Sequence, residues 1–185
     1  PTTTNADYSN AFDALEPYVY NVICLDTDSI SVQMLLDAYL DRVYEAGNYP
    51  MCTIAADSSK GLEERMTIAR SFNDPKITYV LNSAVDAAGR TYEGYQIAAR
   101  IGGIIASTPS NQSVTHEVVA NMVDLDRSLT NTEITQALKS GCIVLTKNND
   151  GQVWIEQGIN TLITPNAEQD EGWKKIRRVK TRFEL

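Results

Sequence analysis

The sequence predicts an α/β fold: a mostly parallel sheet flanked by helices, with an antiparallel hairpin near the C-terminal end. Three observations predict it. Short apolar runs at 18–25, 51–56 and 76–85 alternate with amphipathic segments long enough to cross back over a sheet. The first of these runs, "YVYNVICL", is apolar on both parities, as a strand covered on both faces must be. Asn148-Asn149-Asp150-Gly151 stands between two apolar runs inside 142–158, which is the strongest hairpin signal in the chain.

Each element follows from local chemistry. Thr4-Asn5 ahead of "ADYSNAFDALE" predicts a capped helix that Pro17 brings to a close. Residues 18–25, rich in Val, Ile and Tyr, are expected to form a central strand. Val32, Leu35, Leu36, Tyr39, Leu40 and Val43 then recur at helical spacing, with serines to cap the start and Gly47 and Pro50 to stop it. A strand at 51–56 leads to a capped helix with Glu63 and Glu64 in its first turn, ending before Pro75. After a third strand at 76–85, Gly94–Ser107 reads as a helix that buries Ile97, Ala98, Ile101, Ile104 and Ile105. Its interior glycines, Gly102 and Gly103, each cost roughly 1 kcal/mol of helix propensity relative to Ala, so close packing is expected to compensate. Pro109 forces an exit into a loop. The following stretch has no readable period until "NTEITQALKSG", a short helix capped by Asn131 or Thr132 and stopped by Gly141. "INTLIT" reads as one further strand, and the tail from Trp173 fits a helix or a strand turning into one.

The 185 residues suit a single domain with a real core. No stretch is long and apolar enough to span a membrane, and the N-terminus has no signal-peptide pattern, so the chain reads as cytosolic. It begins with Pro and ends in mid-pattern, which suggests a fragment of a longer protein. The charge is lopsided: residues 173–185 hold six basic side chains against one acid, and the rest holds ten basic against twenty-three acidic. Such a body repels phosphate, which argues against nucleic-acid binding and leaves a copy of the same chain as the better partner for the basic end.

Chemistry is thin. The Gly-Gly pair matches no nucleotide motif and reads as packing. Asp26 and Asp28 follow the first strand where α/β proteins place ligands, but neither the EF-hand nor the adhesion-site offsets are met, and capping explains them more simply. They remain the residues a metal-dependent enzyme or hydrolase would use, and an ion-dependent adhesion-type binding module is a third reading. The single histidine, His116, lies in a polar loop without a nucleophile motif. Glu63-Glu64 and Asp170-Glu171 read as solvated charge, and Cys24, Cys52 and Cys142 as buried reduced thiols. No catalytic residue, cofactor or metal site is assigned.

The second half resembles one family. "AARIGGIIASTPSNQSVTHEVV" (98–119), "GCIVLTKNNDGQVWIEQGINTLIT" (141–164) and "WKKIRRVKTR" (173–182) are similar to the small-residue helix with its Thr-Pro exit, the hairpin with its Asn-Thr pair, and the basic strand of contractile bacteriophage tail sheath proteins. The resemblance implies a structural, non-enzymatic virion protein, assembled in the bacterial cytoplasm. Its subunits stack as six-fold rings around a tail tube protein and contract to drive that tube through the host envelope. It also implies that residues 1–185 are the sheath core, with N- and C-terminal arms outside it that add strands to neighbouring sheets. Lys174, Lys175, Arg177, Arg178 and Lys180 then become the candidate subunit contact, and Val144, Val153 and Ile155 a candidate edge for an added strand.

Overall fold

The computed structural model describes residues 3–184; Pro1, Thr2 and Leu185, on which the reading of the chain ends rests, lie outside it. Helix α1 (Asn5–Leu15) starts on a capping box, in which the Thr4 hydroxyl accepts from the Asp7 amide and Asp7 Oδ2 accepts from the Thr4 amide at 2.8 Å. Strand β1 (Val22–Cys24) leads to α2 (Ile30–Glu45), which ends at Gly47 with φ +88°. Then come β2 (Met51–Ala55), α3 (Leu62–Phe72), β3 (Ile77–Val80), β4 (Ala84–Asp86), α4 (Gly94–Ser107), β5 (Met122–Leu125) and α5 (Asn131–Lys139). Strands β6 (Cys142–Ile143), β7 (Leu145–Lys147) and β8 (Val153–Ile155) precede a 3-10 turn at Glu171–Lys174 and helix α6 (Ile176–Phe183).

A parallel sheet runs in the order β1-β2-β3-β6, with Cys24 opposite Thr53, Thr53 opposite Thr78 and Tyr79 opposite Cys142. Helices cover both faces. On one, Phe12, Leu36, Tyr39, Leu40, Met66 and Ala137 from α1, α2, α3 and α5 pack on Ile23, Ile54 and Tyr79. On the other, Ile97, Ala98, Ile101 and Ile105 of α4 pack on Met51, Ala55 and Val80, joined by Val153 and Ile155 of the hairpin and Ile176 and Val179 of α6. The hairpin turn is the expected one: Asn148 Oδ1 accepts from the Asp150 and Gln152 amides at 3.0 and 2.8 Å, and Gly151 takes φ +79°.

Several elements depart from the sequence reading. Residues 18–25 are not a central strand: only Val22–Cys24 pair, at the sheet edge, while Tyr18 and Val19 are 66% and 87% exposed. The run is apolar on both parities because α4 covers one side and the α2 layer the other, which says nothing about lateral neighbours. The 76–85 strand breaks at Leu81–Ser83, where the Asn82 side chain takes both backbone groups of Leu145 at 2.9 Å and the chain turns into β4, antiparallel to β5. Thr130, not Asn131 or Thr132, caps α5. Ser29 occupies the α2 N-cap without capping, since its hydroxyl bonds that of Ser31, and α3 starts at Gly61 with no side-chain cap. "INTLIT", buried over 159–162, forms no strand: Asn160 donates to the Trp173 carbonyl at 2.7 Å and Thr161 to the Asp74 carbonyl at 2.9 Å. The tail, likened to a basic strand, is a helix.

Candidate assembly surfaces

Helix α6 forms because Trp173, Ile176, Val179 and Phe183 recur at spacings that one helical face can bury. Ile176 and Val179 are wholly enclosed, and Phe183 stacks on Tyr49 at 5.6 Å and meets Tyr44 edge-on at 5.2 Å. The basic residues of the tail separate into two kinds. Lys174 pairs with Glu171 at 2.8 Å, and Arg182 pairs with Asp170 at 3.1 Å while lying 4.4 Å over the Trp173 ring. The Arg182 hydrogen bond holds the Asp170 carboxyl below the usual carboxylate range. Lys180 turns inward, donating to the carbonyls of Ile105 and Thr108 at the C-terminal end of α4, and burial lowers its pKa. It therefore acts as a cap for α4, a role nothing in its sequence position signals. Lys175, Arg177 and Arg178 stay on the exposed side without a carboxylate partner among the described residues; Arg177 and Arg178 line a shallow cleft with Asn111 and Thr181.

Val144, Val153 and Ile155 are all 0% exposed. The outer backbone of β8 is also taken, since Val119 donates to the Val153 carbonyl at 2.9 Å, His116 to that of Ile155 at 2.7 Å, and the Ile155 amide to Glu117 at 3.0 Å. These three side chains are core, and the lateral edge they were read as offering is already occupied from within the chain. In the parallel sheet, β1 is a terminal strand.

The residues weighed for chemistry are dispersed. Asp26 accepts from the Tyr8 hydroxyl at 2.6 Å, and Asp28 contributes its carbonyl to Gln33. His116 sits at φ +63° with its ring stacked 4.1 Å from Trp154. Glu63 pairs with Arg70 and Glu64 with Lys60. The three thiols are free: Cys52 and Cys142 are buried and Cys24 half-buried, and burial pushes Cys24 up to about 11 and Cys142 up to about 12. Of the glycine pair, a Cβ on Gly102 would clash with Cys24 Sγ, whereas one on Gly103 would meet nothing, so only the first is a packing glycine. Among the described residues one group of three carboxylates converges, Asp37, Asp41 and Asp74, which sequence spacing did not reveal. Lys76 bridges two of them at 2.7 and 2.6 Å. Burial, then repulsion from Asp74 and Asp41, pushes Asp37 up to about 6.

The family model of the phage tail sheath protein central domain matches residues 2–161. The tail sheath protein of Clostridium phage phiCD119 is 24% identical over 183 residues, covering 97% of this chain and 46% of that protein. The sheath tail protein from Desulfitobacterium hafniense superposes with a TM-score of 0.88 at 23% identity, over 99% of this chain and 41% of that one. The helical sheath of the anti-feeding prophage in its contracted state does so at 0.64 and 12% identity, over 99% and 50%. The chain thus spans half the length or less of these relatives. A central-domain match over most of its length, on the fold those structures share, makes the chain a member of the phage tail sheath family.

Proposed function

We propose that this chain is the core of a contractile tail sheath subunit, which polymerises as stacked six-fold rings around a tail tube and shortens to drive the tube through the host envelope. The match to the sheath central domain over residues 2–161 carries the reading. The contracted anti-feeding prophage sheath, an assembly with the same core fold, supports it. The role is structural and involves no catalytic step, cofactor or nucleic acid. Subunits assemble in the bacterial cytoplasm and reside in the virion tail. Arms that lock neighbours together belong to the part of the full-length protein beyond this core, consistent with the 46% coverage of the phage relative. Within the core, Lys175, Arg177 and Arg178 form the subunit contact; Lys174 and Lys180 contribute less because their ammonium groups are engaged internally.

Negative-stain electron microscopy of the full-length protein at high concentration, beside this 185-residue chain, tests the reading. Striated tubes from the full-length protein, with dispersed particles from the core alone, are the expected result. Compact particles from both would overturn it.

A further inference from the structure

Charges without an ion-pair partner gather at the two opposite ends of the parallel sheet. At the carboxyl end, Asp26 and Asp28 follow β1, Asp57 follows β2 and Glu93 precedes α4. Gln33 Nε2 joins the carbonyls of Asp28 and Ala55 at 3.3 and 2.8 Å. A Cβ on Gly94 would stand 3.1 Å from both Ala55 Cβ and the Ala56 carbonyl. Asp28, Asp57 and Glu93 therefore surround the point where β2 ends. None of the four acids is in an ion pair among the described residues. The basic side chains at this end are occupied: Lys60 pairs with Glu64, and Arg65, only 7% exposed, donates to the carbonyls of Ser58, Lys60 and Leu81.

At the amino end the exposed face of α6 carries the opposite sign, while Lys76 there is held between Asp41 and Asp74. There Phe183 packs on Tyr44 and Tyr49, just before the first residue of β2, and Lys180 caps the last turn of α4. This places α6 at the other end of the sheet from Glu93, with Lys175, Arg177 and Arg178 outward. Glu184 is the only acid in residues 172–185. The exposed face of α6 and the carboxyl-end acids are thus surface patches of opposite sign. Two like poles repel, which disfavours a symmetric pairing of either end, whereas a copy displaced along the strand direction presents opposite charge. Such a contact is heterologous and leaves a free pole on each side, so it repeats into a stack.

We propose that a second copy of this chain docks the exposed face of α6, through Arg177 and Arg178, on the carboxyl-end acids Asp28, Asp57 and Glu93 of its neighbour. This rests on the sheath reading and names the partner face for its basic contact. Screening over about 8 Å at physiological ionic strength makes the contact salt-sensitive.

The test uses the full-length protein, with tubes counted by electron microscopy and polymer measured by sedimentation. Reversing one pole (Arg177→Glu with Arg178→Glu) or the other (Asp28→Lys with Glu93→Lys) should each raise the concentration needed for tubes roughly tenfold, a change of ~1.4 kcal/mol per contact. An equimolar mixture of the two variants should restore assembly, because each supplies the pole the other lacks. Unchanged assembly after reversal of the arginines, or a mixture no better than its components, would overturn the proposal while leaving the sheath reading intact. Absence of tubes from the unaltered protein at every salt concentration would instead remove the sheath reading. Arg178 lies over Gly172, where a Cβ would come within 2.8 Å of Arg178 Cδ, so Arg177→Glu alone, checked by its unfolding curve, separates lost docking from lost folding.

Discussion

The two faces of the sheet are packed on different terms. Beneath α1, α2, α3 and α5 the contacts are bulky: Leu36, Leu40 and Ile54 are buried, Tyr79 is almost wholly enclosed, and Phe12 stacks on Tyr39 at 5.2 Å. Beneath α4 the sheet offers Met51, Ala55 and Val80, and the helix answers with Ile97, Ala98, Ile101 and Ile105, with Gly102 against Cys24 and Thr53. The hydroxyls of Thr53 and Thr78, register partners on adjacent strands, are buried with no hydrogen-bond partner among the described residues. Both faces derive stability from burying large apolar side chains. The α4 face adds a close backbone approach at Gly102 and carries two unpaired hydroxyls as the cost.

The largest effect is expected at Gly102. Gly102→Ala should destabilise the core by about 2 kcal/mol through overlap with Cys24, and a denaturant midpoint that does not fall would show that α4 has room to retreat. Next comes Thr53→Val, which keeps the shape and removes an unsatisfied polar group; it should stabilise by about 1 kcal/mol, and a loss of stability would mean that the hydroxyl has a partner. The neighbouring glycine predicts the opposite sign to Gly102: Gly103→Ala fills open space on a helix and should raise stability by roughly 0.5–1 kcal/mol, read from the same unfolding curves.

A fourth effect belongs to the α2 side and depends on pH. Asp37 titrates at about 6 in the folded chain against 3.8 for the free side chain, so the native state holds the extra proton and stability falls as pH rises through that window. Asp37→Asn should therefore raise the melting temperature above pH 6 and leave it unchanged below 3.8. A shift independent of pH would assign the effect to packing. Of the four, this is the change whose result says least about α4, and it serves as the control for the other face.

Much of this arrangement was legible in the sequence. The bounds of α4 follow from Glu93 to Pro109 with no adjustment, because helical periodicity and a terminal proline both act locally. The Asn-Asn-Asp-Gly turn is likewise a property of its own four residues. What escaped depends on partners far along the chain. The edge position of β1 is decided by which strand follows β2 in the sheet, and covered faces look the same at an edge as at the centre. Residues 159–164 are apolar enough for a strand, but the buried side chains of Asn160 and Thr161 take up backbone groups that a ladder would use. The candidate contact was legible as a charge run. Its division into engaged Lys174, Lys180 and Arg182 and outward Lys175, Arg177 and Arg178 was not, because that depends on where α4 ends in space.

The attachment of Lys180 to the end of α4 also has a mechanical meaning. Helix α4 begins beside Glu93 at the carboxyl end of the sheet and finishes under α6 at the other. Its 14 residues form a hydrogen-bonded rod roughly 21 Å long, seated on the strands through Gly102. The two ends of the sheet are thus joined by one hydrogen-bonded element and its lysine, with no intervening loop.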